Sequence, residues 1–181
     1  MSSSAKVSLV SQALVLVAVV VAWWMPPWSL VLPYEWHKVL HLTGVIVFFG
    51  NMVVGPLWVA FAWPAADRSH LGFALRTLLA ADIWLTTPGV QLTVWNGLFL
   101  AGSMGGVRVH PWLAQSLVLV VITALLSVAA VLPAQERLAR AAETNDEAAL
   151  RAAIWRWALW GSLVMLPPSL IFFLMVSKRA L

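Results

Sequence analysis

An all-α polytopic membrane protein is what this sequence predicts, and three observations carry the prediction. Apolar residues make up 62% of the 181-residue chain and charged residues only 10%, against about a quarter charged in ordinary soluble domains. The apolar residues form long continuous runs, unlike the short alternating segments of a membrane β-barrel. The polar residues inside those runs recur at offsets of three and four, which gathers them on one face of a helix. Together these predict five spans: a four-helix transmembrane bundle over residues 34–181, preceded by one extra helix and an outer connection over residues 1–33.

The first run, residues 7–24, follows a short start ending in Lys6 and is long enough to span once. It shares a charged start and an apolar core with signal peptides. No small-residue cleavage site follows, however, and bulky Trp23 and Trp24 stand at its exit, so it reads as a retained helix. The second run, residues 34–62, ends at Trp63 and Pro64, and a short polar connection follows over residues 65–72. The third, residues 73–101, is the most polar, and Pro88 and Gly89 at its centre predict a local bend and a freed carbonyl for nearby threonines to satisfy. After a Gly-rich turn, the fourth covers residues 112–132, with Ser116, Thr123 and Ser127 as candidates for interhelical hydrogen bonds and Pro133 as its exit. Residues 133–151 form a water-loving cytoplasmic connection, expected to be a solvated helical hairpin with a capping box over Thr144 to Glu147. The fifth run, residues 152–176, carries Trp155, Trp157 and Trp160 at its start and a Pro167-Pro168 kink.

A net charge of +4 and an isoelectric point near 10.4 do not imply nucleic acid here, because the basic residues sit at the ends of apolar runs, where topology places them. With the N-terminus inside, seven basic residues (Lys6, Arg68, Arg76, Arg137, Arg140, Arg151, Arg156) face the cytoplasm and four (Lys38, Arg108, Lys178, Arg179) face out. That bias favours a cytoplasmic N-terminus and an external C-terminus in a bacterial inner membrane, with the lipid bilayer and other membrane proteins as partners. The absence of cysteine excludes thiolate metal sites, iron–sulfur clusters, disulfides and thiol catalysis. No nucleotide loop, Ser–His–Asp order or pair of catalytic carboxylates is present.

Chemistry concentrates on two seams. On the second run His37, His41, Gly44, Phe48, Asn51 and Gly55 share a face; on the third, Leu79, Asp82, Thr86, Gly89, Thr93 and Asn96 do the same and can pack against it. Two imidazoles four residues apart can grip one metal ion, so His37 and His41 are candidate ligands. His41 lies roughly 8 Å below interfacial Trp36 at the helical rise, level with Asn96, whereas His37 reads as a boundary residue. An outer copper site from His37, His110 and Met104 is a further candidate. Asp82 is costly inside a span and needs a proton, a partner or water. Arg76, Arg151 and Arg156 are its candidate partners, and it serves either as a staple between helices or as part of a proton relay with Asn51. The glycines read as close packing and the twelve tryptophans as interfacial belts.

The segments KVLHLTGVIVFFGNMVVGPLW, ALRTLLAADIWLTTPGVQLTVWNGLFLA and WALWGSLVMLPPSLIFFLMV resemble a bacterial family of predicted integral membrane proteins of unknown function, grouped with the CopD and HemJ membrane families. The resemblance covers residues 36–178, and its most specific part is Arg76-Thr77, Asp82, Thr86-Thr87-Pro88-Gly89 and Gly97. HemJ proteins bind b-type haem and are linked to protoporphyrinogen oxidation; CopD proteins are linked to copper. His41 stands where HemJ carries a His on the similar helix. The Lys that HemJ carries on a later helix is replaced here by Ala114, Gln115 and Ser116, which argues against protoporphyrinogen oxidation itself. The resemblance thus implies a small haem b protein of redox or haem-related function, with His41 as axial ligand and Asn96 and Thr93 as its supporting shell. The rival expectations are a copper-handling or proton-coupled transporter using His41, Asn51 and Asp82, and a structural subunit of a membrane complex.

Overall fold

Apolar runs of this length have no water to hydrogen-bond their backbone inside a bilayer, and helix satisfies every N–H and C=O within the segment. The computed structural model describes residues 3–63, 68–144 and 146–181, and every regular element among them is helical. These are α1 (Ser3–Trp24), α2 (Tyr34–Ala62), α3 (Arg68–Ala81), α4 (Thr87–Ser103), α5 (Pro111–Leu126), α6 (Leu132–Ala142) and α7 (Glu147–Ser177). A single π-helical turn, Asp82–Thr86, joins α3 to α4, and another, Ser127–Val131, joins α5 to α6. The described residues therefore form five rods. By length and composition, four of them can cross a membrane: Ala5–Trp24, Tyr34–Ala62, Pro111–Ala142 and Glu147–Ser177. In the fifth, α3 and α4 have 14 and 17 residues, so neither reaches on its own the ~20 residues a span requires.

Prolines explain both π turns. Pro88 and Pro133 each lack the N–H that would close the α-helical ladder, and each ring crowds the carbonyl four residues back. In both rods the residue before the proline bonds one position further back than in an α-helix: Thr87 N–H reaches Asp82 O, and Leu132 N–H reaches Ser127 O. The widened turn absorbs the proline without ending the helix. The bend expected at Pro88 takes this form, and Thr87 also donates its hydroxyl to Asp82 O at 2.9 Å. The helix expected to end near Leu132 instead runs on past Pro133 to Ala142. Both Pro167 and Pro168 are buried within an uninterrupted α7.

The fold is set by how closely α2 meets α4. A Cβ on Gly44 would lie 2.6 Å from both Gly89 O and Thr93 N, and one on Gly89 would lie 2.8 Å from Phe48 N. Glycine at both positions lets the two backbones touch, which is how helices gain dispersion energy where lipid removes the hydrophobic drive. The pairs along this contact run antiparallel and in register: His37 with Asn96, His41 with Thr93, Gly44 with Gly89, Asn51 with Asp82 and Thr86, Gly55 with Leu78. The two seams face each other as the spacing predicts. Two apolar clusters close the ends. One gathers Val15, Val94, Leu98, Trp112, Leu113 and Leu174 from α1, α4, α5 and α7; the other gathers Val59, Leu75, Leu78, Leu138, Leu150 and Trp157 from α2, α3, α6 and α7.

α1 is packed into the first cluster and tied to α4, where Gln91 Nε2 donates to Ser11 Oγ at 2.7 Å and to Ser11 O at 3.0 Å. The connection after α1 folds back over α4, with Trp28 stacked 5.6 Å from Trp95 and its backbone against Gly102. Gly105 and Gly106, at φ 92° and 103°, make the Gly-rich turn in a region that side chains with a Cβ avoid. Three further expectations are revised. Ser116, Thr123 and Ser127 each donate to the carbonyl four residues back on their own helix rather than across helices, the cheapest way to satisfy a hydroxyl away from water. Asp146, not Thr144, caps α7, accepting from Ala149 N–H at 2.9 Å; Asn145 within that motif, like Pro64 and the first residues of the 65–72 connection, lies outside the described residues. The 133–151 connection is not uniformly solvated, because α6 buries Ala134, Gln135 and Leu138.

Replacing Gly44 with Ala forces a backbone shift and is expected to destabilise the purified protein by about 1–3 kcal/mol in detergent-based equilibrium unfolding. Gly50→Ala, where an added Cβ meets nothing within 4 Å, should be neutral or stabilising by up to about 1 kcal/mol.

Candidate functional site

The register of α2 on α4 builds two separate polar groups, about 15 Å apart along α2 at the helical rise from His41 to Asn51. In the first group His37 is 1% exposed. Leu32 N–H donates to His37 Nε2 at 3.2 Å, so that nitrogen is an acceptor and the ring proton sits on Nδ1. Nδ1 then donates to Asn96 Oδ1 at 2.8 Å, and Asn96 Nδ2 donates to Leu92 O at 2.9 Å. Phe99 stacks on the ring at 4.7 Å. Both nitrogens are used, which leaves His37 no lone pair for a metal. The expected boundary residue is instead sealed under the connection that precedes α2, a fold-back no periodicity signals.

His41 is the opposite case. Its Nδ1 donates to Thr93 O at 2.7 Å, which fixes the tautomer and leaves Nε2 with a lone pair and no hydrogen-bond partner. The expected partner Asn96 belongs to His37. Gly97 lets the ring lie against α4, since a Cβ there would meet both His41 Nδ1 and Cε1 at 3.0 Å. Half-buried, His41 lines a cavity of about 280 Å³ whose walls come from α1, α2, α4, α5 and α7. Most of that wall is aliphatic or aromatic, with Gln12, Thr93, Ser116 and Thr123 as its other polar residues and no Lys or Arg. The same Thr93 donates its hydroxyl to Gly89 O at 2.8 Å, holding the local backbone that orients His41.

The second group surrounds Asp82 at the start of the π turn. Oδ1 accepts from Asn51 Nδ2 at 3.2 Å and Thr86 Oγ1 at 3.1 Å, and Oδ2 accepts from Gln135 Nε2 at 2.6 Å. Asn51 Nδ2 also donates to Thr86 Oγ1 at 2.7 Å. One carboxylate thereby joins α2, the α3–α4 rod and α6. Asn51 Oδ1 is buried and unpartnered, alone in this among the described side chains. The arginine partners expected from sequence do not take part: Arg76, Arg151 and Arg156 are exposed, and all three partners of Asp82 are neutral.

Among the described residues no three His, Asp or Glu side chains converge on a metal position. His110 lies beside Trp112 at 6.0 Å, and Met104 packs into an apolar cluster, so the outer copper grouping is not assembled. Gln135, Gln91 and Ser11 are polar contacts that sequence reading missed. A glutamine shortly beyond a proline, facing a carboxylate set within an apolar run on another rod, was the available signal for Gln135. Gln135→Leu leaves one carboxylate oxygen without its donor and is expected to cost about 1–3 kcal/mol in equilibrium unfolding. Arg76→Gln, on the exposed face, should stay within about 0.5 kcal/mol.

No curated protein and no solved structure matches the chain. A family model described as predicted integral membrane protein (DUF2269) matches residues 35–179. The match takes in both polar groups and every helix except α1. By that match, and with long apolar helices and in-register polar seams to go with it, the chain belongs to this family of predicted integral membrane proteins (DUF2269).

Proposed function

We propose that the chain crosses the bacterial inner membrane five times, with residues 68–103 as the third span, and that it holds a b-type haem with His41 as axial ligand. The observation that carries the ligand assignment is the His41 ring: Nδ1–H anchored on a backbone carbonyl, Nε2 without a partner, at the wall of a largely apolar cavity. Metal-binding histidines are held this way, because the hydrogen bond on one nitrogen orients the ring and makes the other a better donor. The likeness of α2 to the haem-binding HemJ helix supports the same reading.

The donor set fits a haem in part. One neutral imidazole and aliphatic walls suit a macrocycle, and such a bound group would supply one-electron chemistry at a potential set by ligand and burial. Among the described cavity residues His41 is the one histidine that would hold such a group, and no Lys or Arg is there to pair with its propionates. The protein's own contribution is to fix the ring, through Thr93 O and the room left by Gly97, and to keep water from the wall. Copper is less well served, since His37 has both nitrogens occupied and, among the described residues, no group of three His, Asp or Glu side chains includes His41.

Titrating the purified protein with haem should give a Soret band that His41→Ala abolishes and His37→Gln retains. Gly97→Val, which pushes on the ring without touching the ligand atom, should weaken binding about 10–100-fold. A protein that never develops a Soret band, or a His41→Ala variant that binds as the parent does, removes the reading. Reporter fusions check the topology: an odd number of spans places the termini on opposite sides, the N-terminus in the cytoplasm.

A further inference from the structure

A second cavity, about 200 Å³, lies between α1, α3 and α6, and Asp82 is part of its wall. It shares no residue with the cavity at His41, so its chemistry is independent of the haem reading. Its outer part is bordered by Arg140 and Glu143, both exposed, beside the turn from α6 to α7. Besides Asp82, the ionisable groups facing it among the described residues come from α6 and its C-cap: Glu136, Arg140 and Glu143, with Arg140 and Glu136 3.7 Å apart. α1 contributes Ala5 and Ser8, α3 contributes Leu79, and from α2 only the neutral Asn51 reaches the carboxylate. A polar-mouthed cavity at a carboxylate whose described partners are all neutral is a place that water can enter.

The hydrogen bonds around Asp82 carry a direction. As they stand, Asn51 N–H donates to Thr86 Oγ1, and Thr86 O–H donates to Asp82 Oδ1. Asn51 is 6% exposed, and its Oδ1 is the buried acceptor left without a donor. Turning that amide over would give up the Nδ2 donations to Thr86 Oγ1 and Asp82 Oδ1 and present Oδ1 to Thr86 instead. The chain would then run the other way, from Asp82 O–H to Thr86 Oγ1 and from Thr86 O–H to Asn51 Oδ1. Thr86 keeps one proton and Asn51 keeps two in both arrangements; the difference is one proton gained by the carboxyl. The orphaned acceptor is the group that a protonated Asp82 needs and an ionised one does not.

We propose that Asp82 is a proton-exchange site, fed by water through the cavity beside α6, and that Thr86 and Asn51 reverse their hydrogen bonds as the proton comes and goes. With the N-terminus in the cytoplasm, the cavity opens on the cytoplasmic side. Gln135 follows the charge: it donates to Oδ2 of the carboxylate, so proton uptake weakens the tie between α6 and the α2–α4 pair.

Infrared spectroscopy of the full chain in liposomes tests this. A protonated-carboxyl band should appear on acidification, vanish on return to alkaline buffer, be absent in Asp82→Asn, and shift within seconds in D2O. Should Asp82→Asn fail to fold, carboxyl-13C aspartate in an Asp67→Asn, Asp146→Asn background assigns the band instead. Ala139→Trp, which adds bulk to the cavity wall and leaves Asp82 and its hydrogen-bond partners unsubstituted, should slow the D2O shift about tenfold, because water must then wait for local opening. An Asp82 band that never titrates, or one that exchanges equally fast in Ala139→Trp, overturns the proposal.

Discussion

Backbone contact between α2 and α4 at Gly44 and Gly89 fixes the register from which both polar groups follow. Side chains of ordinary size would hold the helices some 8–10 Å apart, and short polar groups could not then meet across the gap. Two glycines bring the axes close enough for an imidazole to reach a main-chain carbonyl and for an asparagine to reach a carboxylate. The steps along α2 are matched by equal steps backward along the α3–α4 rod, so one close approach aligns contacts two turns to either side.

The crossing also divides the molecule's chemistry. No hydrogen bond links His41 to Asn51, because Gly44, Phe48 and Gly89 lie between them. His41 and Asp82 therefore belong to two separate hydrogen-bonded groups. One presents a nitrogen to a largely apolar cavity; the other holds a carboxylate in the wall of a polar-mouthed cavity. Pro88 stands beside the second group: the π turn that accommodates it holds Asp82 and Thr86, four residues apart on one face, and both meet Asn51.

Helix positions and seam faces were legible because period alone decides them: α2 begins and ends at Tyr34 and Ala62 as its sequence predicts. Asn51 was legible as a buried polar group, and His41 and Asp82 as half-buried ones, for the same reason. Partners were not. His37 and His41 look alike in sequence, and only the fold-back of the connection before α2 buries the first and occupies its nitrogens. Asp82 was paired with arginines on charge grounds, whereas α6 continues past Pro133 and brings Gln135 instead. Contacts between segments remote in sequence depend on whether a helix stops or runs on at a proline, and a local pattern does not decide that.

Two histidines four residues apart thus have opposite duties, His37 closed by protein and His41 offering Nε2. Nitrogen-15 NMR of ring-labelled protein, with His70 and His110 replaced by Gln to leave these two signals, measures this directly. Both rings should show the proton on Nδ1 in the free protein, and added haem should broaden or shift the His41 Nε2 signal while leaving the signals of His37 nearly in place. A His41 ring protonated on Nε2 in the free protein, or a response to haem that appears first at His37, would contradict it.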